Sequence, residues 1–176
     1  SYCKCKCKHC LLCSGDDKIQ TVSFDKLEQL ALKFKGFRNL TGINVSLCIY
    51  NCADYLELPR AMEVDRKISA YHGYQNLNGT PIRSGEELSD WVTYLKTTCG
   101  VENANLSWFG NEEFHDDFVQ RNGYYQYLIE LATELKKQNI NYHNTVFILR
   151  SNLNILEELY DILKSLGGTT SFSQIG

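Results

Sequence analysis

Five cysteines and one histidine crowd into the first thirteen residues as Cys3, Cys5, Cys7, His9, Cys10 and Cys13, spaced largely by lysines. Thiolate and imidazole are the donors zinc selects, four of them at about 2.0–2.3 Å. The steps Cys7-x-x-Cys10-x-x-Cys13 have knuckle-like spacing, and neighbouring lysines lower thiol pKa values. The usual second ligand pair, about 12–20 residues downstream, is missing. Cys48 and Cys52 supply it only if the chain folds back. The same residues permit a different chemistry. The eight cysteines are an even number, which suits disulfides in an oxidising compartment. A bridge needs Cα atoms about 4.4–6.8 Å apart with converging Cβ vectors, so residues two apart pair poorly. On that reading the cluster thiols reach out to Cys48, Cys52 and Cys99. Lipidation of a cysteine–lysine anchor is a third option.

A second constellation is Trp108-Phe109-Gly110-Asn111-Glu112-Glu113-Phe114-His115-Asp116-Asp117. Glu112 and His115 share a helix face at i,i+3. A carboxylate beside an imidazole can exchange protons or bind a metal. Glu112, Glu113 and His115 are therefore the candidate catalytic set of a hydrolase. The competing explanation is a capped helix start, where the macrodipole favours each acidic side chain by about 0.3–1 kcal/mol. Gly-rich dinucleotide loops, phosphate loops, Gly-x-Ser-x-Gly elbows and His-Glu-x-x-His pairs do not occur.

The elements that must position these groups alternate in type. A strand is expected at Ile19 to Phe24, then a helix capped by Asp25 with the stripe Leu27, Leu30, Ala31 and Phe34, ending near Gly36. Ile43 to Tyr50 reads as a buried strand. Pro59 suits the first turn of a helix running to about His72. Gly73 to Gly85, with Asn78-Gly79 and Ser84-Gly85, reads as a surface loop. Ser84 and Glu87 have the spacing of a capping box ahead of Leu88, Trp91, Val92 and Leu95. Strands follow at Ala104 to Phe109 and Thr145 to Leu149. Between them helical phase runs from Glu112 to Gln138, with a break at Asn122-Gly123. A closing helix through Leu153, Leu159 and Leu163 stops at Gly167-Gly168.

This alternation predicts an α/β fold: an open, mainly parallel sheet with flanking helices and a cysteine-rich N-terminal segment. Residues 1–17 form the appendage and 18–176 the α/β domain, divided at Ser14-Gly15-Asp16-Asp17. The 176 residues fit one domain with a real core.

A net charge of −3 gives no field for nucleic acid. No apolar run of about 18 residues spans a bilayer, and the Cys–Lys alternation is not a signal-peptide core. Asn39, Asn44, Asn78 and Asn105 begin glycosylation triplets, against about two expected by chance. Cysteines and triplets together predict a secreted or lumenal, disulfide-stabilised and glycosylated module that binds a protein partner, with no cofactor unless zinc. The alternatives are the hydrolase at Glu112 and His115 and an intracellular zinc-binding interaction protein.

Overall fold

The computed structural model describes residues 3–10, 23–42, 58–68 and 74–174. Two helices come first, α1 (Phe24–Thr41) and α2 (Leu58–Ile68), followed by strand β1 (Tyr74–Asn76) and helix α3 (Gly85–Thr97). Next are β2 (Asn103–Trp108), α4 (Glu112–Val119), α5 (Tyr124–Lys137) and β3 (Asn141–Ile148). A short 3₁₀ turn at Leu153–Ile155 leads into α6 (Leu156–Leu166), and β4 (Thr169–Gln174) closes the series. The four strands form one parallel sheet in the order β1-β2-β3-β4. The expected α/β class with a parallel sheet and flanking helices is therefore what the chain adopts.

Sequential order has a geometric consequence. Right-handed crossovers that always step the same way place every intervening helix on one face. Along β2 and β3 the side chains facing those helices are buried: Ala104, Leu106 and Trp108, then Tyr142, Asn144 and Val146. Leu88, Trp91, Val92 and Leu95 of α3 meet them, as do Leu128, Leu131 and Leu135 of α5 and Leu159 and Leu163 of α6. Two polar groups cross this core with partners. Trp108 Nε1 donates to Asn144 Oδ1 at 2.9 Å, and Asn144 Nδ2 donates to the Gly167 carbonyl at 3.2 Å.

Several boundaries differ from expectation. β1 lies inside the span expected to be loop, and β4 follows the helix expected to close the domain. β3 begins at Asn141, four residues before the apolar Thr145–Leu149 run. α1 starts two residues earlier than a helix capped by Asp25 would, with the Ser23 hydroxyl accepting from Lys26 N–H at 3.4 Å, so Asp25 is not its cap. It passes through Gly36 to Thr41, with Gly42 at φ +71° beyond it. Ser84 is the N-cap of α3 but its side chain makes no capping bond, so the Ser84/Glu87 box does not form. The strands expected at Ile19 to Phe24 and Ile43 to Tyr50 lie, but for Ser23 and Phe24 at the start of α1, outside the described residues. Among the described residues, no helix is long and apolar enough to cross a membrane.

Candidate functional site

In a parallel sheet all carboxyl ends lie at one edge, where loops gather and ligands bind. The cysteine segment is tied to that edge. Lys4 N–H donates to the Gly79 carbonyl just beyond β1 at 2.7 Å. Lys6 and Lys8 N–H donate to the carbonyls of Val119 and Phe118, each at 3.0 Å. The Lys8 ammonium pairs with Asp117. Gly79 permits the approach: its φ is +78°, and a Cβ there would fall 2.1 Å from Cys3 Sγ. Its N–H donates to the buried Tyr124 hydroxyl at 2.6 Å. Thr80 bonds the Leu77 carbonyl and the Tyr127 hydroxyl, and Arg121 donates to the Thr80 carbonyl at 2.9 Å.

Cys3, Cys5, Cys7, Cys10 and Cys99 are thiols, not halves of disulfides. Cys5 is buried and its side chain hydrogen-bonds both neighbours, Cys3 and Cys7. That arrangement separates their acidities. The bond from Cys5 holds the Cys3 thiol down at about 6 despite burial, with the Arg121 charge assisting. Cys7 is lowered chiefly by its bond with Cys5, whereas those two bonds and burial push Cys5 up. The hydrogen bonding thus lowers the outer two thiols and raises the middle one.

His9, one of the expected metal ligands, packs as an aromatic ring. It stacks on Phe118 at 5.2 Å and tilts against Phe109 at 5.0 Å and Phe147 at 5.8 Å. Its Nδ1 is buried without a partner, and burial lowers its pKa. Cys13 lies outside the described residues, as do Cys48 and Cys52. Among the described residues no three His, Cys, Asp or Glu side chains are grouped to hold a single metal ion. Cys99 sits in the core near Tyr94 as a thiol, so the structure does not join it to the cluster.

The acidic set divides. Glu112 and Glu113 are exposed in the first turn of α4, whose N-cap Asn111 accepts from Phe114 N–H at 3.2 Å. His115 is fully buried, in edge-on contact with Trp108 and beside Tyr124 and Tyr125. Its Nδ1 accepts from Phe109 N–H at 3.4 Å. Burial alone drives its pKa down to about 3. The sequence spacing therefore does not yield an acid–imidazole pair: the helix turns the carboxylates to solvent and the ring inward.

Sequence reading missed two features of this edge. Asn152 is buried and clamps the carboxyl ends of β2 and β3. Its Nδ2 donates to the Phe109 and Phe147 carbonyls at 2.6 and 2.8 Å, and its Oδ1 accepts from Leu149 N–H at 2.8 Å. The second is the polar face of the sheet away from the helices. There Thr145 donates to Asn105 Oδ1 at 2.8 Å, and His143 bonds the hydroxyls of Thr169 and Ser171, both at 2.7 Å. Asn78 belongs to the same face. Its Nδ2 donates to Ser107 Oγ at 2.9 Å and its Oδ1 accepts from Ser107 N–H at 2.7 Å. A glycan on that amide would replace one of its two N–H donors, which bond Ser107 Oγ and Asn76 Oδ1. The period-2 placement of Asn105, Ser107, Thr145 and His143 was the available signal.

No family model and no curated protein matches the chain. Among solved structures it is similar to Streptococcus suis SuiB bound to S-adenosylmethionine, with a TM-score of 0.66 at 13% identity. A further crystal structure of SuiB matches with a TM-score of 0.66 at 14% identity. Each alignment covers 99% of this chain, which spans only 39% and 38% of the two SuiB chains. The likeness is one of fold.

Proposed function

We propose that this chain is the S-adenosylmethionine-binding α/β part of a larger enzyme, with an iron–sulfur cluster carried by Cys3, Cys7 and Cys10. The observation that carries the reading is the cysteine segment hydrogen-bonded along the carboxyl edge of the parallel sheet. The fold likeness to a protein bound to S-adenosylmethionine supports the ligand class.

The donor chemistry fits. Iron–sulfur clusters are held by thiolates, and Cys3 and Cys7 are the two thiols whose acidity is raised. Three cysteines satisfy three irons of a four-iron cluster and leave the fourth open, as catalytic metal sites keep a position for substrate. Cys5, between them, hydrogen-bonds sulfur without serving as a ligand. His9, set among phenylalanines, offers a ring beside the thiols and one unpartnered nitrogen. Together a cluster and S-adenosylmethionine supply radical chemistry. The chain's own part is to hold the thiols at the sheet edge.

The test is anaerobic reconstitution of the protein with iron and sulfide. The expected result is about four irons per chain, a visible charge-transfer band, and an electron paramagnetic resonance signal that changes when S-adenosylmethionine is added. Cys3→Ala, Cys7→Ala and Cys10→Ala should each lose most of the iron, while Cys5→Ala retains it. Stoichiometric zinc with no iron uptake would sink the reading. Oxidised bridges from the N-terminal cysteines to Cys48 or Cys52 would instead favour the disulfide-stabilised binding module.

A further inference from the structure

The cysteine segment alternates. Cys3, Cys5 and Cys7 are buried or half-buried, and Lys4, Lys6 and Lys8 between them are exposed. The backbone fixes that alternation on both sides of Cys5. Lys4 N–H donates to the Gly79 carbonyl at 2.7 Å and Lys6 N–H to the Val119 carbonyl at 3.0 Å. Cys5 is thereby held inward. It is 2% exposed, it is a thiol, and its side chain hydrogen-bonds both Cys3 and Cys7.

Packing alone accounts for a buried cysteine, which behaves as a small apolar residue. It does not account for a thiol bonded to two of the three sulfurs assigned to the iron–sulfur cluster. We propose that Cys5 is a positioning residue that sets the reduction potential of that cluster through hydrogen bonds to the Cys3 and Cys7 sulfurs. The proposal rests on the reading of Cys3, Cys7 and Cys10 as cluster ligands. Ligand sulfurs must give up their protons to hold a metal, so the S–H of Cys5 is then the donor in either bond. With one proton it serves one sulfur at a time. An electron accepted from an external reductant adds negative charge that the ligand sulfurs share. A hydrogen bond to sulfur offsets that charge and raises the potential, and burial keeps water from screening the bond. No covalent bond forms or breaks in this step.

The test compares wild type, Cys5→Ala, Cys5→Ser and Cys99→Ala after anaerobic reconstitution with iron and sulfide. Each is counted for iron, then titrated with dithionite against redox dyes while the electron paramagnetic resonance signal of the reduced cluster is followed. At the poise that half-reduces wild type, Cys5→Ala should keep its iron but show a reduced-to-oxidised ratio about tenfold lower, which is about 59 mV for one electron. Cys5→Ser, whose hydroxyl still donates, should recover most of that shift. Cys99→Ala, which removes a buried thiol from the core away from the cluster, should stay within about twofold of wild type. Full iron with an unchanged ratio in Cys5→Ala would overturn the proposal and leave the cluster standing. A serine variant no better than alanine would reduce the effect to packing and overturn it as well. Loss of iron in both Cys5 variants would make Cys5 a ligand instead. A wild-type chain that takes up no iron would sink the cluster reading, and this proposal with it.

Discussion

Buried beside Trp108, Phe109, Tyr124 and Tyr125, the His115 ring is neutral because protonating it would put an unsolvated charge in the core. Its pKa falls from 6.5 to about 3. In the unfolded chain the same ring takes a proton near its ordinary value. Between those two pH values the unfolded state therefore binds the extra proton, and stability falls as pH falls. The slope is about 1.4 kcal/mol per pH unit, absent above the unfolded pKa and levelling off near pH 3. His9, also lowered by burial, adds to the loss in the same direction. His115→Leu should flatten much of this acid limb. At neutral pH it should cost about 1–3 kcal/mol, because the Phe109 N–H loses its acceptor inside the protein. Urea titrations at neutral and mildly acidic pH check both statements. An unchanged acid slope in the variant would mean the ring is not buried as described.

At the scale of elements, the turn after β1 sets where the cysteine segment lies. Gly79→Ala must force a side chain into positive φ, at about 1–3 kcal/mol, and against Cys3 Sγ. The expected result is a destabilised but folded protein whose Cys3 is alkylated several-fold faster, followed by maleimide labelling and peptide mapping. Unchanged labelling would detach the segment from this turn. The sequence marks Asn78-Gly79 as a turn, yet nothing local says that residues 3–10 pack on it, since that contact spans more than seventy positions. The helices that bury a full stripe, α3 and α5, were legible from spacing alone. The edge strands were not. β4 reads Thr-Thr-Ser-Phe-Ser-Gln and stays half-buried or exposed along its length, so no apolar alternation marks it. β1 is three residues, Tyr-Gln-Asn, stabilised through its neighbour β2. α1 runs through its expected stop at Gly36 to Thr41. An interior glycine there costs only about 1 kcal/mol of helix propensity. For the site, donor types were visible in the cysteine run. The separation of Glu112 from His115 was not, because helix phase alone does not say which side meets the core.

At the scale of the whole molecule, the sheet has one apolar face under the helices that join its strands and one face lined by polar side chains. Parallel sheets are ordinarily covered on both faces and read as continuous apolar runs. Here β2 alternates instead, with Ala104, Leu106 and Trp108 buried and Asn103, Asn105 and Ser107 half-buried. The connecting helices α3 to α6 pack on the apolar face, and the second face carries half-buried polar side chains. The alternation makes a quantitative claim about neighbouring residues. Leu106 is fully buried, so Leu106→Ala should cost about 2–5 kcal/mol through lost contacts and a residual cavity. Asn105→Ala, one position earlier, removes one hydrogen bond from Thr145 and should cost about 1 kcal/mol. Both variants should unfold in one transition by chemical denaturation, with unchanged far-ultraviolet circular dichroism before it. If Asn105→Ala proved as damaging as Leu106→Ala, the polar face would be a sealed second core. Its side chains would then serve packing alone.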